Sequence, residues 1–151
     1  MDFQSLRLKQ VERVLETLMV LSDAERPSQG WLRTIRQALG MTTRQFARRL
    51  QLRQSTVVDS EMLEARKRIS LAQLEKMAAA LDCRVVYALI PKAPLSSVVD
   101  KQAELVATHE VERIAHSMAL EDQGASQEFD ASLIETTKRK LLGGKWSKLW
   151  D

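Results

Sequence analysis

The 151-residue sequence predicts a mainly α fold: a small helix-turn-helix bundle, one short dimerising β-strand after it, and helical N- and C-terminal extensions. Three observations predict it. Apolar residues recur at three- and four-residue spacing along most of the chain, and Gly or Pro separates the periodic runs. Residues 42–61 read as two short helices joined by a tight turn. The excess positive charge lies on that same segment: residues 29–82 hold five more Lys and Arg than Asp and Glu, while residues 1–28 and 83–151 each carry one net negative charge. A positive field confined to one segment is the footprint of phosphate binding.

Composition sets the frame. Hydrophobic residues make up 44% and aromatics only 5%, so the core is expected to be aliphatic. The single cysteine, Cys83, excludes an internal disulfide and reads as a small buried hydrophobe. Charges interrupt every apolar run, leaving no cleavable signal pattern and no membrane span; a soluble, cytoplasmic protein is expected.

Taken in order, residues 6–21 read as a helix with Leu8, Val11, Leu15, Leu18 and Met19 near helical spacing, ended by Asp23, Pro27, Ser28 and Gly30. This stripe needs a surface to cover, on its own domain or on a second copy. Residues 31–39 form the next helix, with Leu32, Ile35, Ala38 and Leu39 inward, Arg33 outward and Gly40 as a left-handed stop. Thr42 is then an N-cap, and Gln45 completes a capping box ahead of Phe46, Ala47 and Leu50. Residues 51–53 break the pattern. The second helix of the pair begins near Gln54, buries Val57 and ends near Glu61, leaving Gln54, Ser55, Thr56 and Asp59 at its start and open side. A polar edge flanked by arginines is what a major-groove reader needs. Residues 62–68 read as a loop or helix end whose Arg66, Lys67 and Arg68 are placed, with Arg44 and Arg53, to hold phosphates.

Ser70 caps a helix carrying Leu71, Leu74, Met77, Ala78 and Leu81. Residues 84–90 are rich in β-formers, so Val85, Val86, Tyr87, Ala88 and Leu89 read as a strand, with a short apolar helix continuation as the competing reading. A lone strand leaves both backbone edges unpaired, and the same strand of a second copy would satisfy it, hence a homodimer. After the linker at residues 91–94 comes a long helix over residues 95–120, a break at residues 124–126, a last helix over residues 133–142, and a tail with Trp146 and Trp150 that docks on its own chain or on a partner. The expected divisions are thus an N-terminal helix (1–28), a DNA-binding domain (29–82), strand and linker (83–94) and a helical region for dimer or partner contacts (95–151).

Catalytic chemistry has no foothold. His109 and His116 lie two helical turns apart, about 10 Å, too far for one metal ion. No phosphate loop, nucleophile motif or paired-cysteine spacing is present, so no catalytic residue, metal or cofactor is expected and the protein is read as no enzyme.

Residues 35–81 resemble the phage-repressor (Xre/Cro) helix-turn-helix family, through Leu-Gly-Met-Thr-x-x-x-Phe-Ala, Leu-x-Leu-Arg-Gln-Ser-Thr-Val, a glutamate closing the recognition helix, and Ile-Ser-Leu-x-x-Leu. By that resemblance Thr42 and Thr43 meet the DNA backbone, Gln54, Ser55 and Asp59 face base edges, Thr56 serves either role, and Arg36 and Glu61 form a buried structural ion pair. Two positions depart from the pattern: Gln51 stands where glycine is usual, and Arg53 stands at the usual Ser/Thr cap, where it trades capping for a phosphate or guanine contact.

A narrower resemblance, to the "mobile mystery protein A" family, runs through Pro27-x-x-Gly-Trp-Leu-Arg-x-Ile-Arg, Glu61 and Glu64 before Ile69-Ser-Leu, Val-Tyr-Ala-Leu-Ile-Pro91, Ser117-Met-Ala-Leu-Glu-Asp-Gln123 and the final Leu-Trp-Asp. It implies an antitoxin that represses its own operon and pairs with a Fic-domain toxin. Inhibitors of Fic proteins resemble one another in a Ser/Thr-x-x-x-Glu-Gly/Asn motif; Ser117 and Glu121 fit it, Asp122 does not, and Glu121 would then pair with an arginine in the toxin's nucleotide site. The reading is a homodimeric, sequence-specific repressor of a palindromic operator. Its alternative is a protein-binding inhibitor module with a vestigial helix-turn-helix.

Overall fold

The computed structural model describes residues 3–120 and 127–151. The chain divides into two compact units, one of Val20–Ala88 and one of Met1–Met19 with Leu89–Asp151. Among the described residues all regular structure is helical: α1 (Phe3–Leu18), α2 (Trp31–Ala38), α3 (Thr43–Leu50), α4 (Gln54–Ala65), α5 (Leu71–Ala79), α6 (Leu95–Leu120) and α7 (Gln127–Leu142), with short 3-10 turns at Met19–Asp23 and Trp146–Leu149. None of these helices is long and apolar enough to cross a membrane.

In the first unit α2 to α5 enclose Leu32, Phe46, Ala47, Val57, Met77 and Leu81, with Ile35, Leu50, Leu74 and Cys83 packed around them. Cys83 is half-buried, and its thiol donates to the Leu81 carbonyl at 3.3 Å. All four helices end the same way. The chain turns through a left-handed residue (Gly40, Gln51, Lys67 or Asp82), whose N–H and that of the next residue return to carbonyls of the last turn. This six-residue Schellman closure satisfies carbonyls that a helix end would otherwise orphan. Only one of the four left-handed positions is a glycine.

In the second unit α6 and α7 pair lengthwise. Val99, Ala103, Ala107 and Val111, spaced by four, are the buried stripe of α6, and the two alanines permit close approach of the partner backbone. Leu149 joins Val99 and Ala103 in the core, with Leu8, Leu141, Leu142 and Trp146 against them. Lys138 of α7 donates to Asp100 at 2.8 Å and to Glu104 at 3.3 Å, and these carboxylates, Asp100 first, hold its pKa above the ordinary lysine value. Glu12 of α1 caps α6, accepting from Ser96 N–H at 2.7 Å and Ser96 Oγ at 2.9 Å. Those bonds, the backbone one first, hold its carboxyl below the usual glutamate value.

Several expectations are corrected. Val85, Val86, Tyr87, Ala88 and Leu89 form no strand and no helix. A strand exists only through a ladder with a second backbone, and among the described residues 84–90 make no backbone hydrogen bond at all. The second helix of the pair does not stop near Glu61 but runs to Ala65, because its stop is the left-handed Lys67 and not a glycine. Ala38 and Leu39 face outward; the inner face of α2 is completed instead by Arg36. No residue of α1 is fully buried, and Val11 and Met19 lie exposed. In α6 Val98, Leu105 and Ile114 lie exposed, and the last helix begins at Gln127, six residues before its expected start. The tail docks on its own chain through Leu149, with Trp146 beside it and Trp150 exposed.

Candidate nucleic-acid interface

The pair α3–α4 is built from local signals. Thr42 Oγ1 accepts from Gln45 N–H at 3.2 Å, while Gln45 Oε1 accepts from Thr42 N–H at 2.8 Å and from its hydroxyl at 2.9 Å. Thr42 is therefore committed to the capping box. Thr43 is differently placed: its Oγ1 accepts from the Gln54 side-chain amide at 2.7 Å, which ties the starts of the two helices together and leaves the Thr43 hydroxyl proton free to donate. An oxygen acceptor such as a phosphate suits that proton, and the positive end of α3 favours an anion there. Gln51 closes α3 with φ 55°, so the departure from glycine at this position is carried as backbone strain. Arg53 sits at the N-cap of α4 without a side-chain capping bond.

α4 is held on one side and bare on the other. Val57, Ser60, Glu61 and Glu64 are buried, whereas Gln54, Ser55, Val58, Asp59 and Met62 share the exposed side and Thr56 is half-buried between. Two consecutive turns of the buried side are clamped to α2. Arg36 Nε donates to Glu61 Oε1 at 2.5 Å and Nη2 to Oε2 at 3.0 Å, a bidentate buried pair, and Nη1 reaches the Met41 carbonyl at 2.8 Å. The Glu61 bonds raise the Arg36 pKa further above its ordinary value, so the guanidinium is charged at every working pH. One turn later the Glu64 carboxylate accepts from Trp31 N–H at 2.8 Å and Leu32 N–H at 2.9 Å, capping α2 from a distance. Gly30, the N-cap residue of α2, has no side chain to do this, and a Cβ there would meet Glu64 Oε2 at 2.5 Å. Arg26 donates to the Glu64 main-chain carbonyl.

Exposed cations lie before and after α4 in the chain. Arg44, Arg53, Arg66, Lys67 and Arg68 are exposed and make no ion pair among the described residues. The 66–68 cluster stands at the far end of α4 from Arg53, about 18 Å away along a twelve-residue helix. Arg49, by contrast, is used internally, donating to the Ala80 carbonyl at 2.9 Å. Arg33 lines a groove of about 380 Å³ with Thr43, Val58 and Met62, between α2 and α4. A polar-edged helix face about 18 Å long with uncompensated cations at both ends suits a duplex groove between its phosphate rails.

A family model described as helix-turn-helix matches residues 32–87. Residues 32–87 are an Xre-type helix-turn-helix domain. The domain type is that of DNA-binding regulators, and α4 is the second helix of its helix-turn-helix pair. No curated protein and no solved structure matches the chain. The domain thus joins Thr43 to Gln54, leaves Ser55 and Asp59 exposed on α4, and buries the Arg36–Glu61 pair. Ser117 is elsewhere, on α6, its hydroxyl donating to the Arg113 carbonyl at 3.2 Å, and Glu121 lies outside the described residues. Sequence reasoning missed Glu64, Val58, Met62 and Arg33. Once α4 is known to reach Ala65, the spacing 54, 55, 58, 59, 62 marks one helical face and brings Val58 and Met62 into view.

Proposed function

We propose that the protein is a sequence-specific transcriptional repressor that binds its operator through α4. The observation that carries this is the bare face of α4 lying among five unpaired cations, in the one segment of the chain with excess positive charge. Gln54, Ser55 and Asp59 read base edges, Thr56 serves reading or backbone contact, and Thr43, Arg44, Arg53, Arg66, Lys67 and Arg68 hold the backbone, while Thr42 stays in its capping box.

The repressor acts as a homodimer on a palindromic operator, with half-sites about 10 bp apart or a multiple of it. Unpaired backbone at residues 84–90 and exposed Val86, Tyr87 and Leu89 support a two-fold pairing of that segment between copies. Its finer role is that of an autoregulatory antitoxin whose partner is a Fic-domain toxin; the sequence resemblance alone supports this, through Ser117, Glu121 and the motifs around them.

A mobility-shift assay on the protein's own upstream DNA at 50 and 200 mM salt tests the repressor reading. With six or more phosphate contacts, affinity falls by about a thousand-fold between the two. Binding that ignores Arg53→Ala and Gln54→Ala made together refutes it. Co-purification with the Fic-domain product of a neighbouring reading frame, lost in Glu121→Ala, tests the partner; inhibition unaffected by that change removes Glu121 from the account.

A further inference from the structure

We propose that Val58, with Met62 one turn on, reads thymine 5-methyl groups in the major groove, so that each operator half-site presents a thymine to Val58; this rests on the DNA-binding reading above. Adjacent valines in α4 have opposite fates: Val57 is 0% exposed in the core and Val58 is 47% exposed. Val58 contributes nothing to the core. Its β-branch also works against the helix it sits in. Met62, at 42% exposed, lies on the same side.

Neither residue is an isolated exposed hydrophobe on an indifferent surface. Val58 stands between the polar Gln54, Ser55 and Asp59, and Met62 lies one turn on beside the exposed Leu63; Arg53 precedes the helix and Arg66, Lys67 and Arg68 follow it. Charge selects a polyanion as the occupant, and a polyanion offers an apolar target in one place. Of the groups that natural base pairs present in the major groove, the thymine C5-methyl is the apolar one. Asp59 fits the same occupant: it makes no ion pair or hydrogen bond among the described residues, and a carboxylate beside phosphates is tolerable where it accepts from cytosine N4. Val58 and Met62 are four residues apart, about 6 Å along the axis, so Met62 falls about two base pairs beyond.

The test uses the full-length protein and the upstream fragment it shifts, with each thymine replaced in turn by uracil. This removes a methyl group and no hydrogen bond. The expected result is a symmetric pair of thymines whose replacement weakens binding about four-fold per half-site, the worth of one buried methyl. Val58→Ala, which replaces an exposed residue by a better helix former and so keeps the fold, binds the thymine fragment more weakly and no longer distinguishes uracil. Wild-type binding insensitive at every thymine overturns the inference, as does discrimination that survives in both Val58→Ala and Met62→Ala. Unchanged affinity of Val58→Ala for DNA also overturns it and assigns the patch to a protein partner. Failure of the wild-type protein to shift any upstream fragment is a different outcome, which removes the DNA-binding reading and this inference with it.

Discussion

The bidentate pair between Arg36 and Glu61 is the most consequential contact between α2 and α4, and its worth can be stated in advance. Three charge-assisted hydrogen bonds leave Arg36, at 2.5, 3.0 and 2.8 Å, from a side chain that is almost wholly buried. Removing one partner strands the other charge, so Arg36→Met or Glu61→Leu alone should cost about 3–5 kcal/mol. Stabilities of small domains run from about 5 to 15 kcal/mol, so either change removes a large part of the total. The double variant leaves no stranded charge. It loses the charge-assisted bond to the Met41 carbonyl, about 1.5–3 kcal/mol, part of which is regained by exchanging a buried ion pair for packed apolar groups. Urea unfolding, followed through hydrogen exchange of the α4 amides, should place the double variant within about 2 kcal/mol of the parent, far from the sum of the singles. Because the pair is buried, 0.5 M NaCl should change neither result appreciably. Single variants losing under about 1 kcal/mol, or a double variant equal to the sum, would refute the reasoning.

Three further outcomes are expected. Gln51→Gly relieves a left-handed residue and should raise the unfolding free energy by about 0.5–1 kcal/mol, several degrees in Tm by calorimetry; no rise would mean that Gln51 is unstrained. Leu149→Ala should cost the second unit about 2–5 kcal/mol while Trp150→Ala changes little, and equal effects in thermal melts would contradict the burial of one and exposure of the other. Glu12, its carboxyl lowered by capping Ser96, stabilises α6 fully above the ordinary glutamate value and loses that contribution as pH falls through the lowered one. Exchange rates at the start of α6 should therefore rise on acidification, and Glu12→Gln should flatten that rise.

What was legible in the amino-acid sequence was local. The capping box of Thr42 and Gln45, the cap at Ser70, the stop at Gly40 and the extent of α6 over residues 95–120 depend on neighbours a few positions away. What escaped depended on distant partners. A carboxylate such as Glu64 reads as a surface residue until Gly30 and Trp31 fold against it. α6 carries two apolar stripes, and only its distant partners, α7, Leu8 and the Leu149 tail, decide that Val99 and Ala107 go inside while Val98 and Leu105 stay out. The end of α4 escaped because Lys67 adopts, as a non-glycine, the conformation by which helix ends are usually spotted. The polar half of the candidate site was legible from residue type. Its apolar half was not, since Val58 and Met62 resemble core residues until the helix is oriented.

The insertion of Leu149 against Val99, Ala103 and Leu8 has a consequence in time as well as in space. The Val20–Ala88 unit is continuous in sequence, so every contact it needs is present once that stretch has been synthesised. The other unit is assembled from Met1–Met19 and Leu89–Asp151, and its core waits for Leu149. Domains fold as units during synthesis, as their residues emerge. The helix-turn-helix unit is therefore ready first, while α1 and α6 remain without the side chain that completes their packing. A nascent or clipped chain lacking Leu149 would present a finished helix-turn-helix on a protein whose other half is still open.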